Sequence, residues 1–164
     1  MMLLRGIPMR SRNVALAAMI AALYAVLVIV FAPISFLVFQ VRIADMLIPL
    51  SLIYGVPASI GLSLGCLVAN YFGGLGWVDV IGGSIANLIA GLIGYMAGRG
   101  RGKLGRFFAT VLQTAVVSII VGTYLSFLLG VRLEISIAGV LIGSLISINI
   151  MGFMLEEAIR RMKS

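Results

Sequence analysis

Arg42, Asp45, Asp79, Arg132 and Glu134 are the charged residues that break an otherwise apolar chain away from its basic clusters. Gln40, Asn70, Trp77, Ser84 and Asn87 accompany them. Ionisable groups inside apolar spans are costly and tend to mark the path or binding site of a solute. The set has a definite chemistry. Carboxylates accept from amino groups and ring N–H groups, and they neutralise an ammonium. Carboxamides both donate and accept, and an indole or phenyl ring can stack. A planar, nitrogen-rich solute suits this set, as do amino acids and other amines.

Spacing groups these residues further. Arg42 and Asp45 are three apart and share a face if helical, so they can pair. Two readings stand: an ion pair that ties the preceding loop to a helix, or an Asp45 shared between Arg42 and a ligand. Asp79, Gly83 and Asn87 recur every four residues, with Ser84 close to that face. Gly82 and Gly83 leave room for a flat ligand or a neighbouring backbone. Asp79 also suits a helix N-cap. Gln113 and Asn149 fall near mid-span, where interhelical hydrogen bonds are expected. Arg132 and Glu134 fall in a short turn. Arg132 reads as a solvated loop charge, and Glu134 stays among the candidate binding residues.

Other chemistries are excluded. The chain has no His and a single cysteine, Cys66, so a Cys/His zinc site and an intrachain disulfide are ruled out. Cys66 reads as a small packing residue. No metal site, cofactor or catalytic residue is expected. A Ser-His-Asp triad is impossible, and the two lysines, Lys103 and Lys163, belong to basic clusters rather than to a buried Ser-Lys dyad. Gly98-Arg99-Gly100-Arg101-Gly102-Lys103 looks like a phosphate loop but fails as one. Its first glycine is misplaced, Leu104 follows the lysine, and a helix rather than a strand precedes it. The chain therefore does not bind and hydrolyse ATP by that route.

The elements that must position these residues are membrane spans. The chain of 164 residues is 62% hydrophobic and 10% charged, with mean hydropathy +1.22. A soluble domain could not cover that much apolar surface. Ten of the twelve cations form three clusters: Arg5, Arg10 and Arg12; Arg99, Arg101, Lys103 and Arg106; Arg160, Arg161 and Lys163. The net charge of +7 is spread over membrane flanks rather than one patch, which argues against nucleic acid as a partner. Lys and Arg collect on the cytoplasmic side, so each stretch between clusters crosses an even number of times. The first apolar run is too long for a signal-peptide core and reads as a retained span.

The expected fold is all-α: one polytopic membrane domain, residues 1–164, of six transmembrane helices with both termini cytoplasmic. The helices are placed at about 14–31, 43–54, 57–72, 78–97, 107–129 and 135–159. The second is the anomaly, because twelve α-helical residues fall well short of a bilayer core. This topology puts all five isolated charges at the outer ends of helices, with Gln40, Asn70 and Trp77. Small residues recur at four-residue spacing, including Ala17/Ala21, Ala18/Ala22 and Gly61/Gly65. Such pairs let helix backbones approach closely. The alanines are candidates for either internal packing or a partner protein.

At these residues the chain resembles the QueT family, the substrate-binding S-components of energy-coupling factor transporters assigned to queuosine precursors. Three stretches carry the likeness. They are Ala32-Pro33-Ile34-Ser35-Phe36 leading to Gln40-Val41-Arg42-Ile43-Ala44-Asp45; Gly61 through Asn70; and Gly74-Leu75-Gly76-Trp77-Val78-Asp79 running into Gly82-Gly83-Ser84. Many relatives look to have Glu where this chain has Asp45, and the shorter acid would shift a ligand contact inward. The resemblance implies a six-helix bundle in the cytoplasmic membrane with an outward-facing pocket capped by the first loop. It implies an Ala-x-x-x-Ala surface on the first helix, here Ala17/Ala21 or Ala18/Ala22, that meets a membrane scaffold subunit driven by two cytosolic ATPases. The implied solute is a 7-deazaguanine such as the aminomethyl form, matched by Asp45, Asp79 and Asn70. A proton-coupled secondary transporter of a small amine or amino acid is the alternative.

Overall fold

The computed structural model describes residues 11–32 and 42–163. Among them the chain is helical, with six successive elements. They are α1 (Ser11–Val30), α2 (Ile43–Tyr54), α3 (Val56–Gly73), α4 (Trp77–Gly98), α5 (Lys103–Leu129) and α6 (Leu133–Lys163). Five of these are long and apolar enough to cross a membrane, and α2 is the short one. Side chains that no other part of the protein covers are largely apolar, such as Val26, Ile85, Ile119 and Phe127. Lipid rather than water is the medium that such a surface fits. The protein is an all-α, multi-pass membrane protein.

The short α2 is the centre of the bundle. It packs on α1, α3, α4, α5 and α6, while the long helices pack in sequence α1–α3–α4–α5–α6 around it. Most of its residues, from Ala44 through Leu52, are buried. Its first eight residues, Ile43–Leu50, form a 3-10 helix containing Pro49, and Ser51–Tyr54 continues as α-helix. The tighter winding rises more per residue, so the element reaches about 22 Å rather than about 18 Å. It remains shorter than a hydrocarbon core of about 30 Å. Gly55, at φ +64°, turns the chain sharply out of α2, and Pro57 starts α3 where no helical N–H is lost.

Irregularity is matched across the interface. The segment of α6 facing the 3-10 stretch, Leu145–Gly152, is wound as a π-helix. A Cβ on Gly152 would lie 2.9 Å from both the Met46 carbonyl oxygen and Pro49 Cγ. The α1–α3 contact is equally close. Cβ atoms on Gly61 and Gly65 would stand 2.5 and 2.6 Å from the carbonyl oxygens of Ala17 and Ala21. These glycines therefore set the distance between α1 and α3.

Among the described residues, most basic side chains gather at one end. There the buried Glu156 receives Arg106 at 3.2 Å and is also bonded by Arg160, while Arg160 donates to the Leu52 carbonyl at 3.0 Å. Midway, Gln113 donates to Ser51 at 2.9 Å, and Asn149 bridges Thr110 and Thr114. These amides join α2, α5 and α6 inside the bundle.

Candidate functional site

The opposite end of the bundle holds a buried polar cluster built from five helices. Asp45 lies in the first turn of α2, and its Oδ1 accepts a 2.6 Å hydrogen bond from the Tyr24 hydroxyl on α1. Asp79 lies in the first turn of α4, and its Oδ1 accepts from the Tyr124 hydroxyl on α5 at 2.9 Å. Each carboxylate is thus held by a tyrosine from a different neighbour. Arg42 precedes α2, is buried, and donates from Nη1 to Cys66 Sγ on α3 at 3.6 Å. Its guanidinium interacts electrostatically with both Asp45 and Asp79. One cation therefore lies within electrostatic range of two acids carried by separate helices.

Asn70 completes the arrangement. From the end of α3 its Nδ2 donates to the backbone carbonyl of Asp79 at 2.9 Å. This close approach needs Gly83, because a Cβ there would stand 2.5 Å from Asn70 Nδ2 and 3.3 Å from the Tyr124 oxygen. Two acceptors remain. Asn70 Oδ1 and Asp79 Oδ2 are buried and have no hydrogen-bond partner among the described residues. Buried polar atoms are nearly always satisfied, and leaving one unmade costs about 1–3 kcal/mol. A ligand offering N–H donors would supply what both lack.

The expected residues divide by position. Arg42, Asp45, Asn70 and Asp79 come together and are buried. Asp79 does not cap its helix; Gly76 holds that position, and Asp79 is the third residue of α4. Ser84 is bonded to Ser63 on α3 at 2.9 Å. Asn87, one turn further along α4, is buried with its Nδ2 unpartnered among the described residues. Trp77 sits at the rim, 68% exposed, with its ring 6.0 Å from that of Tyr71. Those two rings and Asn70 line an open pocket of about 300 Å³. Glu134 is not brought into the cluster. It is exposed and pairs with Arg132 at 3.5 Å. Gln40 lies outside the described residues.

Tyr24, Tyr124 and Ser63 escape a reading of the sequence, and Cys66 reads there only as packing. Tyr24 carries the only hydroxyl in the apolar run of α1 from Val14 to Val30. It falls on the stripe of Ala17, Ile20 and Val28 that faces the core. That coincidence of a lone hydroxyl with a buried stripe is the signal available. Tyr124 has no comparable mark, because α5 carries several hydroxyls.

The two alanine pairs of α1 separate. Ala17 is buried against Gly61 and Ala21 lies against Gly65, so both serve the α1–α3 contact. Ala18 and Ala22 are exposed on the outer face of α1.

A multi-pass helical bundle with acids, amides and a guanidinium buried at one end has the architecture of a membrane transport protein. The family model described as "QueT transporter" matches residues 14–161. The chain belongs to that family and is a transporter rather than an enzyme. No curated protein and no solved structure matches it.

Proposed function

We propose that the chain is the substrate-binding S-component of an ATP-driven energy-coupling factor importer in the cytoplasmic membrane, and that it captures a 7-deazaguanine queuosine precursor from outside. The observation that carries this reading is the burial of Asp45, Asp79 and Arg42 at one end of the bundle, together with two unsatisfied acceptors, Asn70 Oδ1 and Asp79 Oδ2. Two buried acceptors suit the ring N–H and exocyclic amine of a guanine-like edge. Two carboxylates and one guanidinium leave a formal charge of −1. The stretch from Ala32 to Val41 carries no charged residue to change that sum. A solute with one ammonium, as in the aminomethyl form, neutralises it, with Asp45 as its partner.

The remaining candidates take supporting roles. Trp77 stacks at the mouth, Ser84 and Asn87 reach the inner side of the ligand, and Gln40 stays a candidate by its carboxamide alone. Glu134, exposed and tied to Arg132, plays at most a rim role. The chain has no phosphate loop, so energy comes from a scaffold subunit with two cytosolic ATPases. The exposed Ala18/Ala22 face of α1 is the surface offered to the scaffold, since Ala17 and Ala21 are engaged internally.

Reconstitution tests this reading. Liposomes holding the protein alone are expected to bind aminomethyl-deazaguanine without accumulating it, even across a pH gradient. Uptake should require the scaffold, the ATPases and ATP. Accumulation by the lone protein under a proton gradient would replace the proposal with the secondary-transporter reading.

A further inference from the structure

A groove of about 560 Å³ opens at the basic end, between the start of α1, the end of α2 and the end of α6. It lies at the end of the bundle opposite Asp45 and Asp79 and is unconnected with solute capture. Two of its lining residues are cations, Arg12 and Lys163, and none is an acid. Lys163 is held in place, with its Nζ 4.0 Å over the ring of Tyr54. Asn13 adds a neutral polar side chain at the same mouth, while Leu16 and Met19 form an apolar wall.

That wall continues along the bundle. Met19, Leu23, Val26 and Val30 are spaced four, three and four residues apart, so they share one face of α1. All four are exposed, Met19 to 70% and Val30 to 64%. A cationic mouth at the membrane boundary therefore opens onto an unbroken apolar track running into the bilayer. We propose that this groove is a binding site for an anionic phospholipid, with its phosphate between Arg12 and Lys163 and one acyl chain along the Met19–Val30 track. A free phosphate would use the mouth and leave the track empty. A zwitterionic lipid would fill the track but bring an ammonium to two cations. A basic residue near an anionic membrane surface is worth about fivefold in affinity, so two of them should give a preference of about tenfold or more.

The test uses the full-length protein in nanodiscs containing phosphatidylglycerol, phosphatidylcholine or a mixture, followed by detergent release and native mass spectrometry. The expected result is about one retained phosphatidylglycerol per protein, preferred about tenfold over phosphatidylcholine, and undisplaced by millimolar inorganic phosphate. The double variant R12Q/K163Q should lose the preference while keeping its thermal stability. M19N should weaken retention of both lipids. Equal retention of the two lipids, displacement by inorganic phosphate, or an undiminished preference in R12Q/K163Q would overturn the proposal. So would loss of scaffold capture in R12Q/K163Q with no lipid preference in the parent protein, which would assign the groove to a protein partner.

Discussion

The Tyr24 hydroxyl donates to Asp45 Oδ1 across 2.6 Å, joining the first helix to the short central one at a point where both residues are buried. The bond fixes one of the two acids of the polar cluster. Tyr24→Phe keeps the ring and removes only the donor, leaving a buried carboxylate oxygen short of a partner. A loss of about 1–3 kcal/mol is expected. Thermal unfolding in detergent checks it, and an unchanged melting temperature would mean that Asp45 does not depend on Tyr24.

Gly83 makes a sharper probe of the second acid. Gly83→Ala places a methyl 2.5 Å from Asn70 Nδ2, so Asn70 must withdraw from the Asp79 carbonyl. Overpacking of this kind costs about 1–3 kcal/mol. Affinity for aminomethyl-deazaguanine is expected to fall about tenfold, or about 1.4 kcal/mol. Wild-type affinity in this variant would remove Asn70 from the site.

At the basic end, Glu156 is 0% exposed and serves Arg106 and Arg160 together. Glu156→Gln leaves Arg106 its 2.7 Å ion pair with Glu157 but removes the carboxylate that the two guanidiniums share. Both are partly exposed, at 12% and 37%, so solvent takes up part of the loss. Destabilisation of about 1–3 kcal/mol is expected, below the cost of orphaning a fully buried charge. Arg160 also caps the Leu52 carbonyl, so the end of α2 should loosen. Hydrogen exchange of residues 50–54 reads this directly, and unaltered protection there would count against the linkage.

The exposed alanines separate folding from coupling. Ala18→Leu and Ala22→Leu enlarge side chains exposed on the outer face of α1. Melting temperature and solute affinity are expected to stay at wild-type values, while co-purification with the scaffold subunit is lost. Retained capture by both variants would place the partner elsewhere.

The helical class and its membrane setting were legible because apolar runs between basic clusters admit few other solutions. Arg42, Asp45, Asn70 and Asp79 stood out for a related reason: a polar residue in an apolar span has no solvent to excuse it. Tyr24 and Tyr124 did not stand out, since an aromatic ring reads as core or interface until its hydroxyl is seen against a carboxylate. The length of α2 was a puzzle in the sequence. Its 3-10 winding and its central place resolve it, because a helix enclosed by five others need not match the bilayer by itself. The π-wound stretch of α6 has no mark in Leu145–Gly152, where only packing on Met46 and Pro49 accounts for it. The alanines show the same limit. Ala17 and Ala18 are adjacent and identical, and only the position of Gly61 decides which one turns inward.

Calorimetric titration of the purified protein with aminomethyl-deazaguanine, alongside Asp45→Asn and Asp79→Asn, tests the shared pocket most directly. One ligand should bind the parent protein, and each substitution should weaken it at least tenfold at an unchanged fold, because each removes one acid and leaves the Arg42 charge in place. Parent-like affinity in both substituted proteins would mean that these two carboxylates hold no solute.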